Sequence, residues 1–167
     1  YPQAFSLDVD QDGDITALGD GLMIIRYLFG SAFQGPALIN KAISPNSGII
    51  QDLFPNRDLN SLSTEEQSLA AERVSNNIFE GYQSEALDVD QDGSITALGD
   101  GLMIIRYLFG SAFEGAALIN KAISPESKIG KIRDWDANKF LKGEVDTYFI
   151  GDDTITRDNL KKYLEQS

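Results

Sequence analysis

Asp8-Val9-Asp10-Gln11-Asp12-Gly13-Asp14-Ile15-Thr16 returns eighty residues later as Asp88-Val89-Asp90-Gln91-Asp92-Gly93-Ser94-Ile95-Thr96. Three carboxylates on alternate residues of a tight turn converge on one point, and a hard cation relieves their mutual repulsion. Gly stands sixth, where the chain turns sharply and a Cβ would obstruct it. Asp8, Asp10 and Asp12, with Asp88, Asp90 and Asp92, are therefore the expected metal ligands. The seventh residue coordinates through its carbonyl oxygen, so Asp14 and Ser94 serve equally well. Thr16 and Thr96 fall at the ninth position of the same pattern. Ile15 and Ile95 are expected to pack inward and to allow a short backbone pairing between the two loops. A donor set of oxygen alone favours calcium over a transition metal, and magnesium prefers a smaller octahedral shell. Two calcium ions per chain are expected.

The duplication extends beyond the loops. Leu7 to Pro45 aligns with Leu87 to Pro125 and differs only at Asp14/Ser94, Gln34/Glu114 and Pro36/Ala116. Two near-identical segments fold alike. The tails, 46–86 and 126–167, do not match each other. The expected units are 1–83 and 84–167, each a loop-bearing repeat with its own tail, packed into one body.

Each loop leads into an apolar helix, from about Leu18 to Phe29 in the first copy, which Gly30 ends. A second short helix is expected from Pro36 to Ile43. Ser63-Thr64-Glu65-Glu66 is a capping box opening a helix to about Glu80, with Leu69, Val74, Ile78 and Phe79 inward and Gly81 at its end. Weaker helices are expected around Trp135 to Leu141 and after Thr156, and loops over 46–61 and 143–153. Little alternates with period two, so the expected class is all-α.

The twelfth loop position, where a bidentate Glu closes a regular EF-hand shell, holds Gly19 and Gly99. The next acid comes one residue late. Asp20 and Asp100 are expected to close the shells, with Gly19 and Gly21 letting the helix start bend; the competing role is favourable placement at a helix N-terminus.

An Asp-Val-Asp-Gln-Asp-Gly turn followed by an apolar helix, twice, with no entering helix directly before it, resembles the loop-plus-exiting-helix "F-hand" of dockerins. It is also similar to the tandem EF-hand-like calcium repeats of bacterial secreted and surface proteins. The resemblance implies a pseudo-twofold pairing of the two halves and a helix surface that docks a cohesin-like partner. Met23, Arg26 and Tyr27, with Met103, Arg106 and Tyr107, are the corresponding contact residues. The helix from Leu22 to Phe29 is apolar almost all round, so it is either covered on two sides or exposes such a patch.

Composition narrows the rest. The 167 residues carry 26 acidic and 14 basic side chains, a net charge of −12, with no His and no Cys. That removes His-dependent nucleophiles, zinc sites built on thiolate or imidazole, and disulfides. The acidic excess opposes capture of nucleic acid or an anionic membrane, and no apolar run is long enough to span a bilayer. Gly19-Asp20-Gly21 lacks the third glycine of a phosphate loop. Asp134-Trp135-Asp136-Ala137-Asn138 has Lys139 where a calcium loop needs Gly, and Gly151 to Thr156, which looks like a decayed half-loop before the last helix, is explained by Thr156 capping that helix. No catalytic residue is expected, and the protein is not read as an enzyme. The chain opens on Tyr1-Pro2, as expected of a mature or excised piece of something longer. The expected role is a calcium-stabilised structural module of an extracellular or cell-surface bacterial protein, beside neighbouring domains or a protein partner.

Overall fold

The computed structural model describes residues 5–113, 116–127, 147–150 and 153–156. In each repeat the Asp-rich turn runs into a single π-helical turn, Ala17–Gly21 or Ala97–Gly101. An α-helix continues directly from it: α1, Leu22–Phe29, in the first copy and α5, Leu102–Phe109, in the second. Gly30 and Gly110 end these helices at φ +81° and +82°, a region open to glycine at little cost. Short helices follow, α2 at Pro36–Ile39 and α6 at Ala116–Ile119. They stop earlier than the expected Ile43, and Ala42 and Ile43 turn into the core from the residues beyond.

The first tail is more ordered than its sequence implies. The stretch 46–61, expected as a loop, holds α3 at Gly48–Leu53, capped by the Ser47 hydroxyl, and a 3₁₀ turn at Leu59–Ser61. α4 spans Thr64–Gln83 behind the expected capping box, with the Ser63 hydroxyl accepting from the Glu66 N–H and the Glu66 carboxylate accepting from the Ser63 N–H. Gly81 lies inside this helix, not at its end. A Cβ there would come within 2.7 Å of the Phe5 ring, so this glycine admits an aromatic side chain against the helix. Val74 and Ile78 are buried as expected, whereas Leu69 and Phe79 are about half exposed. Because α4 reaches Gln83, a helix does enter the second loop, separated from Asp88 only by residues 84–87.

The core is shared between the copies. Met23, Ile24, Leu38, Ile49, Ile50, Val74 and Ile78 pack with Leu87, Val89, Met103 and Ile104. The helices pair reciprocally: α1 packs on the π-turn of the second repeat and α5 on that of the first. Met23 and Met103 are 0% and 2% exposed, which removes them from any contact face. Ile15 is also misplaced by its sequence pattern, being 49% exposed, while Ile95 is partly buried against the core. Among the described residues no backbone hydrogen bond joins the two loops. The halves meet through helices instead.

Among the described residues, helices carry the fold from residue 17 to 119, and one two-stranded hairpin follows them in the chain. β1, Thr147–Ile150, pairs antiparallel with β2, Asp153–Thr156, in the register Thr147↔Thr156 to Ile150↔Asp153. The loop expected over 143–153 is a strand at 147–150, and Thr156 is the last residue of β2. Propensity explains the difference, since Thr, Tyr, Phe and Ile flank a Gly-Asp pair suited to a tight hairpin. The helices expected around Trp135 to Leu141 and after Thr156, and the Asp134–Lys139 stretch, lie outside the described residues.

Candidate metal centres

Asp8, Asp10, Asp12 and Asp20 each place a carboxylate oxygen so that the four lie within 4.8 Å of one another; Asp88, Asp90, Asp92 and Asp100 do the same. The turn is shaped by its own backbone. Asp8 accepts the Asp12 N–H at 3.2 Å and the Gly13 N–H at 3.0 Å, and Gly13 sits at φ +91°. Asp12 accepts the Asp14 N–H at 2.9 Å.

Asp20 joins the beginning of the loop to its end. Its Oδ1 accepts the Val9 N–H at 2.8 Å and its Oδ2 the Thr16 N–H at 3.0 Å; Asp100 repeats this with Val89 at 2.8 Å and Thr96 at 3.0 Å. Both carboxylates are 1% exposed. The π-helical turn supplies the extra residue that brings this late acid round to the cluster. The flanking glycines do something other than bend the chain. Gly21 receives the opposite repeat, and Gly19 leaves room for the Thr16 hydroxyl, which accepts the Gly19 N–H at 3.1 Å. Thr16 and Thr96 thus use their side-chain oxygens as helix caps. Asp14 and Ser94 are exposed at the rim.

Asp10 is buried as well. Oδ2 accepts the Ser44 N–H at 2.9 Å, while Oδ1 is buried with no hydrogen-bond partner; Asp90 repeats both features with Ser124. A buried carboxylate oxygen without a partner costs on the order of a few kcal/mol, and the same cost is incurred twice. A cation beside it removes that cost. The electrostatics agree. Burial, with the charges of Asp20 and Asp12, pushes Asp10 up to about 7. Burial likewise pushes Asp90 up to about 6 and, with the charges of Asp90 and Asp88, Asp100 up to about 8; Asp20 is raised by burial too. Burial also acts upward on Asp12 and Asp92, but hydrogen bonds led by the Asp14 and Ser94 N–H groups outweigh it and leave both lowered. Acids packed so closely favour a cation among them or protons upon them.

Ser44 and Ser47, with Ser124 and Ser127, escaped the sequence reading. The Ser47 hydroxyl donates to the Asp10 carbonyl and Ser127 to that of Asp90. Their signal was a Ser-Pro-x-Ser recurring at 44–47 and 124–127, across the end of the aligned block at Pro45 and Pro125.

The expected contact residues are occupied within the fold. Arg26 Nη1 donates to the carbonyls of Leu38 at 3.2 Å and Asn40 at 2.8 Å, and its guanidinium lies 5.7 Å from the Phe33 ring centre. Arg106 does the same with Leu118, Asn120 and Phe113. Tyr27 is half-buried, edge-on to Tyr82 at 6.5 Å. Tyr107 is half-buried at the equivalent place in α5. Among the described residues no helix is long and apolar enough to cross a membrane.

Among the described residues the chain thus contains two acidic candidate metal sites in a duplicated helical framework. Comparisons with protein-family models, curated proteins and solved structures give no match.

Proposed function

We propose that this chain is a calcium-binding, calcium-stabilised structural module of an extracellular protein. The observation that carries the proposal is the partnerless buried oxygen of Asp10, repeated at Asp90, inside a group of four converging carboxylates. Asp8, Asp10, Asp12 and Asp20 would hold one ion, and Asp88, Asp90, Asp92 and Asp100 the other. Each ion supplies positive charge where burial and repulsion otherwise oppose ionisation. The residues of the chain do the positioning: backbone N–H groups orient the carboxylates, and the closing acid fixes where the exiting helix starts. Binding is then coupled to folding. The role is architectural, without catalysis. An extracellular setting fits because calcium is millimolar there, so modest sites fill.

A docking role through residues 22–29 and 102–109 finds less support. It needs Met23 and Met103 at a surface, and it needs Arg26 and Arg106 free of the carbonyls they now hold.

Far-ultraviolet circular dichroism of the metal-stripped chain, followed through calcium addition, tests the structural role. Helical signal that rises on addition supports it. An identical spectrum and melting curve with and without calcium would refute it.

A further inference from the structure

We propose that the segment after α2, Ser44 to Gly48, is a working part of the first metal site, and that Ser124 to Ser127 plays the same part in the second. This rests on the calcium proposal above and adds residues from outside the acidic loops. The Ser44 N–H donates to Asp10 Oδ2 at 2.9 Å, the Ser47 hydroxyl donates to the Asp10 carbonyl, and the Gly48 N–H donates to the Gln11 carbonyl at 2.7 Å. Three bonds therefore clasp the middle of the loop from a point more than thirty residues downstream. The second copy repeats the first two, from Ser124 to Asp90 Oδ2 at 2.9 Å and from Ser127 to the Asp90 carbonyl.

The clasp fixes how the central aspartate meets an ion. With Oδ2 held by the Ser44 N–H, Oδ1 is the buried oxygen of Asp10 left for a cation. The bond from Ser47 anchors the main-chain carbonyl of Asp10, so the backbone that carries the carboxylate stays in place. Ser47 is fully buried, and its oxygen also accepts the Ile49 N–H at 3.2 Å, which ties the clasp to the start of α3. Gly48 is required for the approach, because a Cβ there would stand 2.8 Å from the Gln11 carbonyl oxygen. Ser47 and Ser127 are positioning residues: they act on the ion through Asp10 and Asp90. Partners at this remove commonly govern about 10–100-fold in metal affinity.

Calorimetric titration of the full chain with calcium near neutral pH tests this, using Ser47→Ala, Ser127→Ala, the double variant and Ser127→Thr. Each single alanine variant is expected to weaken one of the two binding steps by about tenfold and spare the other, the scale set by outer-shell partners. The double variant should weaken both, and Ser127→Thr, which keeps the hydroxyl, should titrate as the wild type does. Melting with and without calcium separates positioning from mere support of the fold: the calcium-induced rise in melting temperature should shrink in the alanine variants. Unchanged affinities in the alanine variants would overturn the clasp, as would an equal fall in melting temperature with and without calcium. A wild-type chain that takes up no calcium would instead sink the metal reading, and the clasp with it.

Discussion

Gly21 of the first repeat lies against Ile105 of the second, close enough that a Cβ on Gly21 would stand 3.1 Å from Ile105 Cγ1. The reciprocal pair, Gly101 and Ile25, gives 3.0 Å, with Leu108 and Leu28 in matching places at 3.2 and 3.3 Å. Each glycine directly follows the acid that closes its own loop. The end of each candidate metal site is thus also the surface on which the other repeat rests. This contact gives physical content to the pairing of the halves, which exchange helix faces at two glycines.

Substituting Gly21 by Val tests that packing. Replacing a helical glycine by alanine gains about 1 kcal/mol of helix propensity, which offsets part of the crowding, so alanine discriminates poorly. The branched valine adds methyl groups where Ile105 and Leu108 already press. Gly21→Val is expected to lower unfolding stability by about 1–3 kcal/mol, the usual cost of overpacking, and Gly101→Val by a similar amount. Urea unfolding of the two variants measures it.

Asp20→Asn probes the late acid. Asparagine keeps an oxygen for the Val9 N–H but turns an amide toward the Thr16 N–H, which Asp20 Oδ2 now accepts at 3.0 Å. It also removes one of four charges. Calcium affinity at the first site is expected to fall by at least about tenfold, as loss of a group close to a metal does, while the second site keeps its affinity. Terbium luminescence titration, competed with calcium, reads both.

Arg26→Ala addresses whether this residue serves a partner or its own fold. The guanidinium satisfies the Leu38 and Asn40 carbonyls at the end of α2. A hydrogen bond from a charged donor contributes about 1.5–3 kcal/mol, and Asn40 is exposed, so a loss toward the lower end is expected. Lysine should rescue poorly, having no planar fork to lie over Phe33. Thermal unfolding of Arg26→Ala and Arg26→Lys checks both statements.

Acidity should act in opposite directions on the metal-free and metal-bound protein. Asp10, Asp90 and Asp100 are raised to about 7, 6 and 8, and Asp20 is raised as well. Without metal, the folded chain holds these protons more tightly than the unfolded chain. The stability they contribute is complete below the ordinary carboxylate value and is lost as pH rises through about 6 to 8. Asp12 and Asp92 are lowered, so their contribution is lost only in strong acid, below that window. The metal-stripped protein should melt at a higher temperature near pH 5.5 than near pH 8. Calcium should reverse the order, since protons compete for the same oxygens. Melting curves at the two pH values, in metal-stripped and calcium-containing buffer, test the sign.

Much of the candidate site was legible in the sequence because it is local. Alternating aspartates and a glycine define the turn, and duplication shows that the spacing is no accident. Asp20 was legible as the next available acid, although the π-helical turn that delivers it was not. What escaped depends on distant contacts. Ser47 reaches Asp10 across 37 residues, a relation that no local periodicity encodes. Gly81 reads as a helix stop until Phe5 is found beside it. Met23 looks like an adaptable surface residue in an apolar helix, and only the packing of the opposite repeat shows that it belongs to the core. The Thr147–Thr156 hairpin escaped for another reason: its strands have four residues each and are marked by β-branched and aromatic propensity instead of strict polar–apolar alternation.

A calcium-stabilised module needs ions at both aspartate clusters. Equilibrium dialysis of the metal-stripped chain against radioactive calcium, near neutral pH, counts them directly. Two ions per chain are expected, falling to one in Asp10→Ala and to none when Asp90→Ala is added. A wild-type chain that retains no calcium above background would contradict the account.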